Sequence, residues 1–139
     1  MLRGINKLLS PELLKILMEM GHGDELVIAD GNFPSASHAQ RLVRADGHDI
    51  PTILDAILPL FPLDYVVDYT AVLMDGHNQE PDVWKIYKDK LSVCPDGDKQ
   101  FFVISKPEFY ERAKKAYCIV ATGESERFAN IIIRKGIIS

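Results

Sequence analysis

Along the chain the spacing of apolar positions changes several times, and each change marks an element. Leu13, Leu14, Leu17 and Met18 recur at helical spacing behind Ser10-Pro11-Glu12. A serine N-cap, a proline in the first turn and an acid at the positive end of the helix dipole favour a start there. Gly21 is expected to end this helix in the left-handed cap conformation. Residues 25–30, Glu-Leu-Val-Ile-Ala-Asp, form a short β-rich run that reads as a buried strand. Residues 31–40, rich in Gly, Pro and Ser, read as a loop.

The alternation then continues. Residues 40–46 read as a second strand, with Gly47 after it. Residues 51–62 read as a helix opened by Pro51 and ended by Pro59 or Pro62. A strand over 65–75 concentrates Val, Tyr and Thr. A helix over 80–91 carries Pro81 in its first turn, and 93–100 is a turn. A strand at 101–105, a helix at 106–116 and two closing strands at 117–124 and 129–136 complete the chain. This order predicts an α/β domain with a mostly parallel or mixed sheet. No repeat, low-complexity tract or linker interrupts it, so one domain is expected over residues 1–139.

Composition narrows the functional classes. The 139 residues are 47% hydrophobic and 26% charged, a balance suited to a soluble domain with a real core. The net charge of -4 has no concentrated basic face, which argues against a nucleic-acid partner and against a polybasic membrane anchor. No apolar run approaches a membrane span, and Ser10, Pro11, Glu12 and Lys15 interrupt any signal-peptide core. Cys94 and Cys118 read as free thiols of a reducing compartment, so a cytoplasmic protein is expected.

Common chemical motifs are missing. There is no G-x-G-x-x-G, no P-loop, no G-x-S-x-G and no C-x-x-C. Of the four histidines, His22, His38, His48 and His77, none has a second ligand at i, i+4, so the spacing gives a zinc site little support. What remains is a set of polar residues at strand ends and loops: His22, Asp30, Asn32, Lys106, Glu124 and Asn130. Such ends are where ligands bind in α/β sheets. His22 lies between Gly21 and Gly23, which leave its imidazole uncovered. Each residue also has a structural reading. His22 can bond a helix C-terminal carbonyl, Asp30 can cap a turn, Lys106 can be a solvated first-turn residue, and Asn130 can be a left-handed turn residue.

The stretch 10–34, "SPELLKILMEMGHGDELVIADGNFP", with "RADG" at 44–47, "FYERA" at 109–113 and "TGE…FANIII" at 122–133, resembles the RbsD/FucU family of fucose mutarotases and ribose pyranases. The likeness covers nearly the whole chain in order, and "MGHGDE" and "FYERA" look closer to the fucose branch. It implies a cofactor-free isomerase that interconverts cyclic forms of a free sugar, L-fucose anomers in one branch and ribose ring forms in the other. It also implies a single-domain α/β sandwich with a mixed, mostly parallel sheet, and a ring-like homo-oligomer, often a decamer. By this resemblance His22 is the proton donor, and Asp30, Lys106, Phe128, Ala129 and Asn130 contact the sugar. Two positions depart from the family pattern. Lys106 stands where the fucose branch looks to use arginine, and it lacks the planar fork. Phe128 stands for the tyrosine of Tyr-x-Asn and lacks its hydroxyl. Ribose pyranase, a non-catalytic sugar-binding protein and a metal-dependent isomerase or aldolase stay open beside the mutarotase.

Sugar ring opening needs one proton delivered to the ring oxygen and one removed from the anomeric hydroxyl. Histidine suits the first role, since it exchanges protons near neutrality, and acid/base help of ~100 to 10,000-fold suffices without a metal. If residues 25–29 form a straight strand, its ends lie ~17 Å apart. His22 and Asp30 of one chain then cannot share a pocket unless the 31–34 loop folds back or a neighbouring subunit completes the site.

Overall fold

The computed structural model describes residues 1–139. Six strands, β1 (Glu25–Ala29), β2 (Leu42–Ala45), β3 (Tyr69–Met74), β4 (Gln100–Ile104), β5 (Cys118–Thr122) and β6 (Ile131–Arg134), form one sheet in the order β2-β5-β1-β6-β3-β4. Pairings β1–β5, β2–β5 and β3–β4 are parallel, whereas β6 pairs antiparallel with both β1 and β3. Five strands therefore run one way and β6 alone runs the other.

The sheet is covered on both faces, as expected of an α/β sandwich. Successive β1 side chains alternate between two cores. Leu26 and Ile28 join the larger one, packed against α1 (Pro11–Glu19), α3 (Ile50–Ile57) and α4 (Val83–Ser92). Val27 and Ala29 join the smaller one with Phe109 and Ala113 of α5 (Lys106–Lys115). Helix starts follow side-chain caps. The hydroxyl of Ser10 accepts from the Leu13 amide, the Asp49 carboxylate from Thr52, and the hydroxyl of Ser105 from Glu108. Arg112 of α5 forks onto the Glu25 carboxylate, its Nη2 2.7 Å from Oε2, and the same Nη2 donates to the Tyr69 hydroxyl at 2.8 Å. This ties α5 to β1 and β3.

Several local expectations change. Residues 35–38 form a single helical turn, α2 (Ser35–His38), inside the segment read as loop. One turn is too short to show a helical period. Strand β3 starts at Tyr69, because 65–68 bend away with Tyr65 and Val66 exposed. The α3 helix stops at Ile57 and tightens into a 3-10 turn over Leu58–Leu60. Pro81 precedes α4 and is not in its first turn. Gly21 does not take the left-handed cap. Met20 leaves the helix extended, with ψ 135°, and Gly23 carries the positive φ of 88°. The Lys135 ammonium satisfies the helix end instead, donating to Leu17 O and Met20 O at 2.6 Å each. No helix is long and apolar enough to cross a membrane.

The loop before β6 is held from below by α4. Tyr87, fully buried, donates its hydroxyl to Ala129 O at 2.6 Å, and Trp84 Nε1 donates to Phe128 O at 3.1 Å. Tyr87→Phe orphans a buried carbonyl and should lower the unfolding free energy by about 1–3 kcal/mol. Urea unfolding should then show a lower midpoint at unchanged slope. An unchanged midpoint would show that this bond contributes nothing.

Candidate active site

Because β6 alone runs backwards, its N-terminal approach lies at the edge where β1, β3 and β4 have their C-terminal ends. Asp30, Met74, Lys106, Phe128 and Asn130 converge there around a cavity of about 290 Å³, together with Asn32, Phe33, Tyr110, Glu126 and Arg127. Asp30 and Asn130 bond twice. The Asp30 amide donates to Asn130 Oδ1 at 2.7 Å, and Asn130 Nδ2 donates to Asp30 Oδ2 at 3.0 Å. Asp30 Oδ1 also accepts from the Asn32 amide at 2.9 Å, so the aspartate caps its turn as well as facing the cavity. Burial pushes the Asp30 carboxyl above its ordinary value. The Asn32 amide, the Asn130 side chain and the Phe33 amide oppose the rise, and the Glu124 charge adds to it.

Asn130 is buried and directly precedes β6, and the left-handed residue is Phe128, with φ 59°. That conformation is uncommon for an aromatic residue. It turns the chain so that the Phe128 ring lies over Gly76, where an added Cβ would meet the ring at 3.2 Å and Gln79 O at 2.6 Å. The ring also meets His77 edge-on, at 6.1 Å between centroids. Ala129 is fully buried and presents its carbonyl to Tyr87. Lys106 begins α5, and its ammonium sits 5.5 Å from the Tyr110 ring centre. Glu124 does not line the cavity. Its carboxylate receives the Ile50, Ser125 and Glu126 amides and so shapes the loop.

His22 is at the other end of β1. Its Nε2 lies 2.9 Å from Asp64 Oδ1, and the imidazole is 41% exposed while the Asp64 side chain is 0% exposed. Asp64 Oδ1 also accepts from the Val66 amide at 3.1 Å, and Oδ2 accepts from Arg134 Nε at 2.7 Å. Burial would raise the Asp64 carboxyl, but the Arg134, His22 and Val66 bonds together hold it below its ordinary value. An ionised Asp64 accepts from Nε2–H, which leaves Nδ1 as the nitrogen free to trade protons with a ligand. Tyr65 stacks on the imidazole at 6.2 Å with an interplanar angle of 11°. His22 therefore bonds a carboxylate rather than the helix-end carbonyl.

Residues 3–138 match the RbsD / FucU transport protein family. The chain belongs to that family. A mouse protein named fucose mutarotase is 47% identical over 146 residues, covering 99% of this chain and 95% of the mouse protein. The structure of the fucose mutarotase of Streptococcus pneumoniae in complex with L-fucose superposes with a TM-score of 0.91 at 46% identity, covering 99% and 100% of the two chains. FucU from Bifidobacterium longum superposes at 0.93 with 45% identity and the same coverage.

In this RbsD / FucU chain, sequence reading missed Asp64, Tyr110, Glu126 and Arg127. Asp64 is 42 residues from His22 and carries no motif, so only the topology reveals the pair. The Asp64 carboxyl titrates below its ordinary value of 3.8. Its network therefore stabilises the fold above about pH 4, and that contribution fades as pH falls through the folded value. Asp64→Asn should unfold with about 3 kcal/mol less free energy at neutral pH, and the gap to wild type should narrow below about pH 4. Chemical unfolding across this pH range checks it; a gap independent of pH would show that the charge is not what matters.

Proposed function

We propose that the chain is an L-fucose mutarotase, an isomerase that interconverts the α and β anomers of the free sugar. Full-length similarity to proteins named fucose mutarotase, one of them solved with L-fucose, carries the reading. A cavity faced by the Asp30–Asn130 pair supports it, since a carboxylate accepts and an amide both accepts and donates, as a hydroxyl-rich ligand needs. Phe128 offers an apolar ring for the fucose methyl face, and Lys106 a point charge to its hydroxyls.

The two half-sites belong to different subunits in this reading. The 31–34 loop does not fold back to His22: Asp30 and Asn32 stay with Asn130 at one sheet end, and His22 stays with Asp64 and Arg134 at the other. His22 of one subunit completes the cavity of a neighbour in a homo-oligomer, which we take to be a decameric ring. The compartment is the cytoplasm, where the two unpaired thiols of Cys94 and Cys118 are the usual state.

In the opening step the His22 imidazolium gives its Nδ1 proton to the ring oxygen. The bond from the ring oxygen to the anomeric carbon breaks and its electron pair stays on oxygen. The anomeric hydroxyl loses its proton to a group on the cavity wall, and the freed pair forms the aldehyde. Rotation about the first carbon–carbon bond exposes either face, and closure reverses each transfer. Asp64 steadies the imidazolium.

Proton NMR saturation transfer between the anomeric signals of L-fucose should show protein-dependent exchange, and His22→Ala should slow it by about 100-fold or more. Exchange confined to D-ribose ring forms would move the assignment to ribose pyranase. Binding without exchange would make the protein a sugar-binding module. Separately, His22→Ala and Asp30→Asn chains, each inactive alone, should recover exchange when refolded together. No recovery would refute the shared site.

A further inference from the structure

The opening step needs a proton acceptor on the cavity wall, and the position at which the family resemblance places a tyrosine is Phe128, which has no ionisable atom. We infer that Glu126, two residues earlier on the same loop, is the acceptor for the anomeric hydroxyl proton, an assignment that rests on the mutarotase reading. Glu126 lines the same cavity as Asp30, Lys106 and Asn130 and is half-buried.

The other wall groups are committed or unsuited. Both Asp30 oxygens hold protein donors, Asn32 N–H on Oδ1 and Asn130 Nδ2 on Oδ2. The Asn130 amide oxygen is taken by the Asp30 amide. Lys106 ends in an ammonium and Arg127 in a guanidinium, which donate only. Tyr110 presents a phenol that must lose its own proton before it can take another. Glu126 has one long contact, Val83 N–H to Oε1 at 3.5 Å, and its Oε2 has no protein donor. Its backbone is fixed by the Glu126 amide donating to Glu124 Oε2 at 3.1 Å, so the side chain projects from an anchored point.

The exchange balances. Glu126 takes the proton from the anomeric oxygen as the aldehyde forms, while His22 of the neighbouring subunit delivers one to the ring oxygen. On closure the ring hydroxyl returns its proton to His22 and Glu126 returns its own to the anomeric oxygen. The two groups end each cycle as they began.

The competing role for Glu126 is to accept the Val83 amide at the start of α4, and Glu126→Gln separates the two because its carbonyl still accepts that bond. In L-fucose saturation transfer at saturating sugar, Glu126→Gln should slow exchange by about 100-fold, with the thermal midpoint unchanged and L-fucose affinity held within a few-fold. Glu126→Asp, which keeps a carboxylate at that position, should retain at least about tenfold faster exchange than Glu126→Gln. Exchange that survives Glu126→Gln within about threefold of wild type overturns the assignment. So does a loss that follows a lower midpoint or weaker binding and that Glu126→Asp shares in full. A wild-type protein without exchange overturns the mutarotase reading, and this one with it.

Discussion

Strand β1 cannot bring its own ends together, and the organisation of the site follows from that. Four of its five residues are fully buried between two cores, and β5 and β6 occupy both of its edges. A strand so confined stays extended, and its ends remain ~17 Å apart. His22, three residues before the strand, and Asp30, the residue after it, are therefore fixed in separate clusters. Each cluster is built with care that a solvated surface would not require. Asp64 is buried to serve His22, and Asn130 is buried to hold Asp30.

The two aspartates show how environment divides one chemical group into two roles. Asp64 gathers Arg134, His22 and a backbone amide, and these outweigh its burial, so it stays ionised. It has a permanent charge to offer an imidazole. Asp30 gathers only neutral donors and has the Glu124 charge nearby, so burial prevails and lifts its carboxyl above its ordinary value. The reversed strand β6 supports both ends, since Asn130 lies before its first residue and Arg134 is its last.

Much of this was legible in the residues. The capped helices at 11–19 and 106–115 carry Ser-Pro and Ser-Lys-Pro starts, and the apolar runs at 25–29 and 118–122 have no other use than buried strands. Strand ends mark His22, Asp30, Lys106 and Asn130 as candidates, and the family resemblance adds Phe128 and Ala129. The rest depends on packing between distant segments. Nothing local tells β6 to run antiparallel, and nothing near residue 64 announces an imidazole partner. Gly21 was misassigned because the cap that satisfies α1 comes from Lys135, more than a hundred residues away. The αL residue could not be read from type, since Phe128 disfavours that conformation and is held in it by Trp84 and Tyr87.

That strain has a chemical consequence. Ring opening moves two protons on different oxygens of one small sugar, so donor and acceptor must face it from different sides. A single chain with a straight central strand offers only one of those sides. In the proposed assembly a neighbour's His22 approaches from without, and the cavity wall supplies the other face. The wall must then be rigid without a tyrosine at position 128. The left-handed turn at Phe128 sets the direction of the loop from Glu126 to Asn130, and two buried aromatic donors keep it there. A carboxylate can serve as the acceptor on such a loop only if its backbone is fixed. Glu126 meets that condition because its amide and the amide before it are anchored to the Glu124 carboxylate.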